Sequence, residues 1–140
     1  CKEYSCMGSQ PITLYSVSRD LGTPQDFQDF VAKAHGLGLR VLLSIAHDGV
    51  VSCPDGLCGQ YFMPGMEAYH PQTGSRGFRY DEPHVLRYLL SNLCYWMEEF
   101  GVDGFRFQNV TSMLYTTKGF FVPEDPDELE QYVSGDGKVN

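Results

Sequence analysis

Residues 39–46 read Leu-Arg-Val-Leu-Leu-Ser-Ile-Ala, and residues 102–107 read Val-Asp-Gly-Phe-Arg-Phe. The first is a short, almost unbroken apolar run, of the kind that a parallel sheet buries on both faces. The second alternates, with Phe105 and Phe107 on one face and Gly104, Arg106 and then Gln108 on the other. Helical periodicity precedes each of them. Thr23 suits an N-cap, Pro24 the first helical position, and Asp26 completes a capping box. Phe27, Phe30, Val31 and Ala34 then recur at i, i+3, i+4 and i+7, which predicts one buried stripe, and Gly36 is placed to end the helix. A second helix is predicted over roughly residues 83–100, with Leu86, Leu89, Leu90, Leu93, Met97 and Phe100 as its stripe and Gly101 as its stop. One further strand candidate lies around Ile12–Val17. The order strand, helix, strand, loop, helix, strand implies βαβ units and a parallel sheet, an α/β fold.

Between the two βα pairs, residues 50–80 are rich in Gly and Pro and have no period. They read as a long loop, and long loops inside compact domains are usually functional or disordered. Residues 122–140 form an acidic tail, in which Asp125-Pro126-Asp127-Glu128 is a helix-start candidate.

The 140 residues suit one domain and carry a net charge of −8. An acidic surface is repelled by polyanions, so nucleic acid and anionic membrane are excluded as partners. A carbohydrate fits better, since sugars call for aromatic faces and hydrogen bonds rather than charge, and nine Tyr and nine Phe permit that. Five cysteines, Cys1, Cys6, Cys53, Cys58 and Cys94, are an odd number without a disulfide spacing, which points to a reducing, soluble compartment. Cys53 and Cys58 with His47 and Asp48 match no zinc pattern, and no metal or cofactor is expected. No apolar run is long enough to span a bilayer. The chain opens on Cys1 rather than Met, which reads as a processed or partial chain.

In parallel βα folds the chemistry collects at the carboxyl ends of the strands. That singles out Ser44, His47 and Asp48 after the first apolar run, and Arg106 and Gln108 at the second. Arg106 lies on the parity opposite two phenylalanines. A guanidinium facing inward there requires an open mouth and a polar or anionic partner.

Several stretches, in order, resemble the eukaryotic-type 1,4-α-glucan branching enzymes. They are Gly-Thr-Pro at 22–24, Ala-His-Gly-Leu-Gly-Leu-Arg-Val-Leu-Leu at 34–43, Val-Leu-Arg-Tyr-Leu-Leu-Ser-Asn-Leu at 85–93, Trp96 with Glu98-Glu99-Phe100, Asp-Gly-Phe-Arg-Phe at 103–107 and Val-Thr-Ser-Met-Leu-Tyr at 110–115. The likeness runs over most of residues 8–120, with a shortened loop near 60–78. It implies part of a (β/α)8 TIM barrel of the α-amylase superfamily, glycoside hydrolase family 13, comprising about strands 2–4 with their helices and a long loop after strand 3. It also implies retaining transglycosylation of α-1,4-glucan, through a glycosyl-enzyme, to form α-1,6 branches, with no cofactor, in cytoplasm or plastid.

Carried over residue by residue, the resemblance puts Gln108 at the position of the family's nucleophilic Asp. A neutral amide cannot form the glycosyl ester, and loss of a covalent nucleophile costs on the order of 10⁶ in rate by analogy with proteases. Arg106 matches the family Arg that holds that carboxylate and a sugar hydroxyl. Where the family has Asp-Val-Val-His-Ser-His, this chain has Ser44-Ile45-Ala46-His47-Asp48-Gly49, so that only His47 is kept as a substrate-binding candidate and Ser44 and Gly49 have lost theirs. Ser9 stands where the family has the Tyr that stacks on the sugar. The family's general-acid Glu and last His-Asp pair belong to later strands, and three or four βα units do not close a barrel of typically ~250 residues. The resulting expectation is a pseudoenzyme kept for α-glucan binding or as a structural subunit. The alternatives are an active branching enzyme seen as an incomplete chain, and a non-catalytic structural subunit joined to a protein partner or to the remainder of the barrel.

Overall fold

The computed structural model describes residues 13–50, 59–65, 69 and 74–114. Among them run three helices and two strands: α1 (Pro24–Gly36), β1 (Leu42–Ile45), α2 (Pro83–Phe100), β2 (Gly104–Phe107) and α3 (Val110–Leu114). The two strands pair in parallel, Leu42 with Gly104, Leu43 with Phe105, Ser44 with Arg106 and Ile45 with Phe107. The strand candidate around Ile12–Val17 does not form over its described part, residues 13–17. The acidic tail, Ser9, and Cys1, Cys6, Cys53 and Cys58 lie outside the described residues.

The N-terminus of α1 is capped as its sequence predicts. The Asp26 amide donates to Thr23 Oγ1 at 3.2 Å, and the Thr23 amide donates to Asp26 Oδ2 at 2.8 Å. Its C-terminus falls at Gly36 as expected, but Gly36 does not itself make the left-handed turn. Gly36 is the last helical residue, and the turn is made two residues later by Gly38, with φ 73°. There the Gly38 amide donates to His35 O at 2.9 Å and the Leu39 amide to Ala34 O at 3.0 Å, which satisfies two of the orphan carbonyls. Gly101, with φ 68°, closes α2 as expected.

Helix α2 buries Val85, Leu89, Asn92, Trp96 and Phe100. That face is rotated from the expected stripe, for Leu86, Leu90 and Met97 are exposed. The reason is polar. The buried seam is centred on Asn92, whose amide has partners on both sides, and a reading that counts apolar residues alone passes over it. On α1, Val31 is buried and Phe27 is half-buried, whereas Phe30 is 58% exposed.

The sheet packs one face on α1 and α2. Ile45 and Val102 join Val31, Trp96 and Phe100 in one core cluster, with Leu43 and Phe105 packed against it. The other face is open, with Leu42 65% exposed and Ser44 and Arg106 also exposed. Burial of β1 on both faces is therefore not observed among the described residues. A second core cluster lies beyond the strand ends, where Leu14, Val50, Phe62, Phe78 and Tyr80 meet Val85 and Leu89 of α2. The long segment after β1 thus builds a core of its own. It is tied by antiparallel bridges between Val50 and Arg76 and between Phe62 and Phe78.

Asp103 locks the amino ends of the strands. Its Oδ2 accepts from the Val41 amide at 2.7 Å and lies 2.8 Å from His35 Nε2. The backbone bond first, and the bond from His35 second, hold the Asp103 carboxyl below its ordinary range.

Candidate functional site at the strand tips

The carboxyl ends of β1 and β2 carry four of the residues singled out from the sequence: Ser44, Arg106 and Gln108 along the ladder, and His47 turned into the interior. Ser44 and Arg106 are register partners on the open face of the sheet. Among the described residues no carboxylate lies within ion-pair distance of Arg106. Gln108 continues the ladder one step past β2, its amide donating to Ile45 O at 2.9 Å.

His47 lies deep in the interior, 1% exposed. Its Nε2 is 2.9 Å from Asn92 Oδ1, and Asn92 Nδ2 donates to Leu14 O at 2.6 Å. Because the amide nitrogen is committed to Leu14, the oxygen faces the imidazole, and the imidazole proton sits on Nε2. Trp96 Nε1 donates to the same Leu14 carbonyl at 3.0 Å. The ring packs edge-on to Phe107 with centroids 5.9 Å apart. Burial lowers the His47 pKa, against the opposing influence of the Asn92 bond and the Asp48 charge. The carbonyl of His47 accepts from Tyr80 Oη at 2.7 Å, and burial drives the Tyr80 phenol strongly upward, so it stays a donor.

The next three residues are held as firmly. Asp48 is buried, and its Oδ2 accepts from Asn109 Nδ2 at 2.7 Å across the two strand tips. Gly49 has φ 155°, and a Cβ built on it would stand 2.5 Å from Arg76 O. A side chain is therefore barred at position 49 by backbone, which cannot move aside. Val50 exchanges both hydrogen bonds with Arg76, at 3.2 and 2.9 Å. A histidine at 49 does not fit the present course of the chain.

Sequence reasoning passed over Asn92, Asn109 and Tyr80. For Asn92 a signal existed: a lone amide at helical spacing between Leu89 and Trp96 is either solvated or buried with partners. Asn109 follows the second strand at φ 52°, a left-handed conformation that Asn tolerates better than most residues. Tyr80 had no signal that set it apart from eight other tyrosines. Among the described residues no three His, Cys, Asp or Glu side chains are gathered as metal ligands. Nor is any helix among them long and apolar enough to cross a membrane.

No family model matches the chain. Curated relatives do. It is 42% identical over 123 residues to the 1,4-alpha-glucan-branching enzyme of Yarrowia lipolytica, which covers 83% of this chain and 18% of that protein. It is 45% identical over 124 residues to the enzyme of the same name from Aspergillus oryzae, with the same coverage. It is also 45% identical over 126 residues to the chloroplastic/amyloplastic enzyme of Oryza sativa, again over 83% of this chain but 15% of that one. The chain thus spans under a fifth of the length of these relatives. Among solved structures, an Anoxybacillus alpha-amylase superposes with a TM-score of 0.66 at 19% identity, over 95% of this chain and 32% of that one. A maltogenic alpha-amylase from Thermotoga neapolitana gives 0.64 at 19% identity, over 94% and 30%. At such identities the structures speak to fold alone: the chain has the α/β architecture of part of an α-amylase TIM barrel. By sequence, it belongs to the 1,4-alpha-glucan-branching-enzyme family.

Proposed function

We propose that this chain is a barrel segment of a branching-enzyme relative that binds α-glucan at its strand tips without forming a glycosyl-enzyme. In this reading β1 and β2 are the third and fourth strands of a (β/α)8 barrel, and the long segment after β1 is the loop after strand 3. One observation carries it. The residue that continues the ladder past β2 is Gln108, a neutral amide, beside an Arg106 that has no carboxylate within ion-pair distance among the described residues.

Retaining chemistry requires an anionic oxygen to attack the anomeric carbon, and an amide offers none. What remains is hydrogen bonding. The Gln108 amide has both donors and an acceptor for sugar hydroxyls, and the Arg106 guanidinium has five N–H donors. His47 belongs to this site as its buried wall, since its Nε2 is committed to Asn92. Ser44 and Gly49 supply no charge, and Gly49 has no side chain with which to reach a sugar.

The test is branching activity in the full-length protein, read as the fall in glucan–iodine absorbance. No fall is expected, together with saturable binding of maltoheptaose by calorimetry. Measurable branching, or a trapped covalent glucosyl adduct, would overturn the non-catalytic reading. Folded protein that binds no maltooligosaccharide would overturn the glucan reading and leave a structural subunit.

A further inference from the structure

The geometry points to Asp48 as a positioning residue for the second strand tip: we propose that its carboxylate, through Asn109, sets the placement of Gln108. The anchor side is rigid for reasons already visible in the chain. On one flank of Asp48, the His47 side chain is bound to Asn92 and the His47 carbonyl to Tyr80. On the other flank, Gly49 lies against the Arg76 carbonyl and Val50 is bridged to Arg76 in both directions. Asp48 is therefore held on both sides by segments that cannot shift without breaking buried hydrogen bonds.

The side that is positioned is different. After Phe107 the chain keeps one ladder bond, from the Gln108 amide to Ile45 O, and then turns through Asn109 in the left-handed region at φ 52°. A residue with a Cβ resists that conformation, so it persists where the surroundings over-determine it. The 2.7 Å bond from Asn109 Nδ2 to Asp48 Oδ2 is such a determinant. It is charge-assisted, part-buried and joined to the rigid tip of the other strand. Gln108 is thus fixed between two points on β1 and its extension, the Ile45 carbonyl and the Asp48 carboxylate. The negative charge at these strand tips accordingly sits on Asp48, facing the chain that follows β2, and not at position 108. What this placement serves, a sugar ligand on the Gln108 amide, rests on the function proposed above; the placement itself does not.

The experiment is hydrogen–deuterium exchange on the full-length protein, read on peptides covering 104–109, with 41–45 and 83–100 as controls. Asp48→Ala is expected to speed exchange in 104–109 by on the order of tenfold, the scale of one net hydrogen bond, and to leave the controls unchanged. Asp48→Asn still offers an acceptor oxygen and is expected to stay close to the parent. In an Asn109→Gly background, where the donor is gone and the backbone is relieved, Asp48→Ala is expected to add nothing. Should Asp48→Ala fail to fold, Asn109→Gly alone must speed exchange in 104–109. Unchanged exchange there in Asp48→Ala, an equal rise in the controls, no rescue by Asp48→Asn, or an undiminished effect in the Asn109→Gly background would each overturn the inference. Maltoheptaose affinity gives the second readout, weakened in Asp48→Ala and kept in Asp48→Asn. A protein that binds no maltoheptaose yet shows the exchange pattern defeats the glucan reading and leaves the positioning role standing.

Discussion

The tip of β1 and the tip of β2 lie side by side, and they are held in opposite ways. After Ile45 the chain enters the interior: His47 and Asp48 are buried, and Gly49 and Val50 are fastened to Arg76. From Arg106 onward the chain stays near the surface, with Arg106 and Asn109 exposed and Gln108 half-buried. The first tip is built like a core and the second is an exposed polar edge, the one assigned to the ligand in the proposed function. A binding edge on a rigid support is the arrangement that lets polar side chains meet a ligand without losing much conformational freedom on binding. The asymmetry also explains how a β1 tip with Gly at position 49 stays ordered, since the space for a side chain there is occupied by backbone.

Three substitutions test this contrast, in decreasing order of effect. Gly49→Ala strikes the rigid tip. Backbone in an unfavourable region costs about 1–3 kcal/mol, and the 2.5 Å approach to Arg76 O adds to it. Chemical denaturation should show the loss as a lower midpoint with an unchanged slope. A Gly49→Ala protein of parent stability would mean that the tip is looser than its hydrogen bonds imply.

His47 gives the second test, through pH. Its folded pKa is lowered, chiefly by burial, below the ordinary value of 6.5. The unfolded chain therefore takes up the proton first as pH falls. The stability linked to His47 is complete above about pH 6.5 and is lost as pH drops from there towards the folded pKa, by at most about 1.4 kcal/mol per pH unit for one proton. His47→Gln should flatten the profile in that window. It should leave untouched the fall at more acid pH due to Asp103, whose lowered carboxyl keeps its contribution above the ordinary value of 3.8 and loses it as pH falls further towards the folded pKa. A profile in His47→Gln identical to the parent between pH 5 and 6.5 would show that the imidazole is not buried as a neutral group.

Arg106→Ala is the smallest perturbation to the fold. The residue is exposed and has no ion pair among the described residues, so stability should change by no more than about 0.5 kcal/mol. Maltoheptaose binding, if the proposed function holds, should nonetheless weaken. A large stability loss in this variant would place Arg106 in the structural framework and remove it from the binding edge.

Legibility in the sequence follows the same division. The capping box of Thr23 and Asp26, the left-handed stop at Gly101 and the span of α2 are local matters, governed by residues within a turn of one another. Each was readable from a few neighbouring residues. The parity of β2 was readable for the same reason, and Phe105 packed on the core cluster with Arg106 exposed bears it out. Gly36 and Gly38 show the limit of local reading, since both are glycines near a helix end and only the backbone geometry chooses between them. The buried face of α2 shows a second limit. Leu86 and Leu90 are as apolar as Leu89, and what turns them outward is the partnership of Asn92 with Leu14 and His47, 78 and 45 residues away in the chain. At the strand tips, Arg106, Gln108 and His47 were legible as polar residues at strand ends. The bond that joins the tips, between Asp48 and Asn109, was not, because it spans 61 residues and neither side chain announces its partner.

The amino-acid sequence alone determined the alternation of α1, β1, α2 and β2, the capping box of α1, the glycine stop of α2 and the neutral amide at position 108, because each depends on local stereochemistry or on the chemical identity of one side chain. The tertiary structure decided which face of each helix is buried, that His47 is a neutral interior group, that position 49 admits no side chain, and that Asp48 reaches across to Asn109. Those depend on which distant groups meet, and a buried polar group takes its role from the partner that satisfies it.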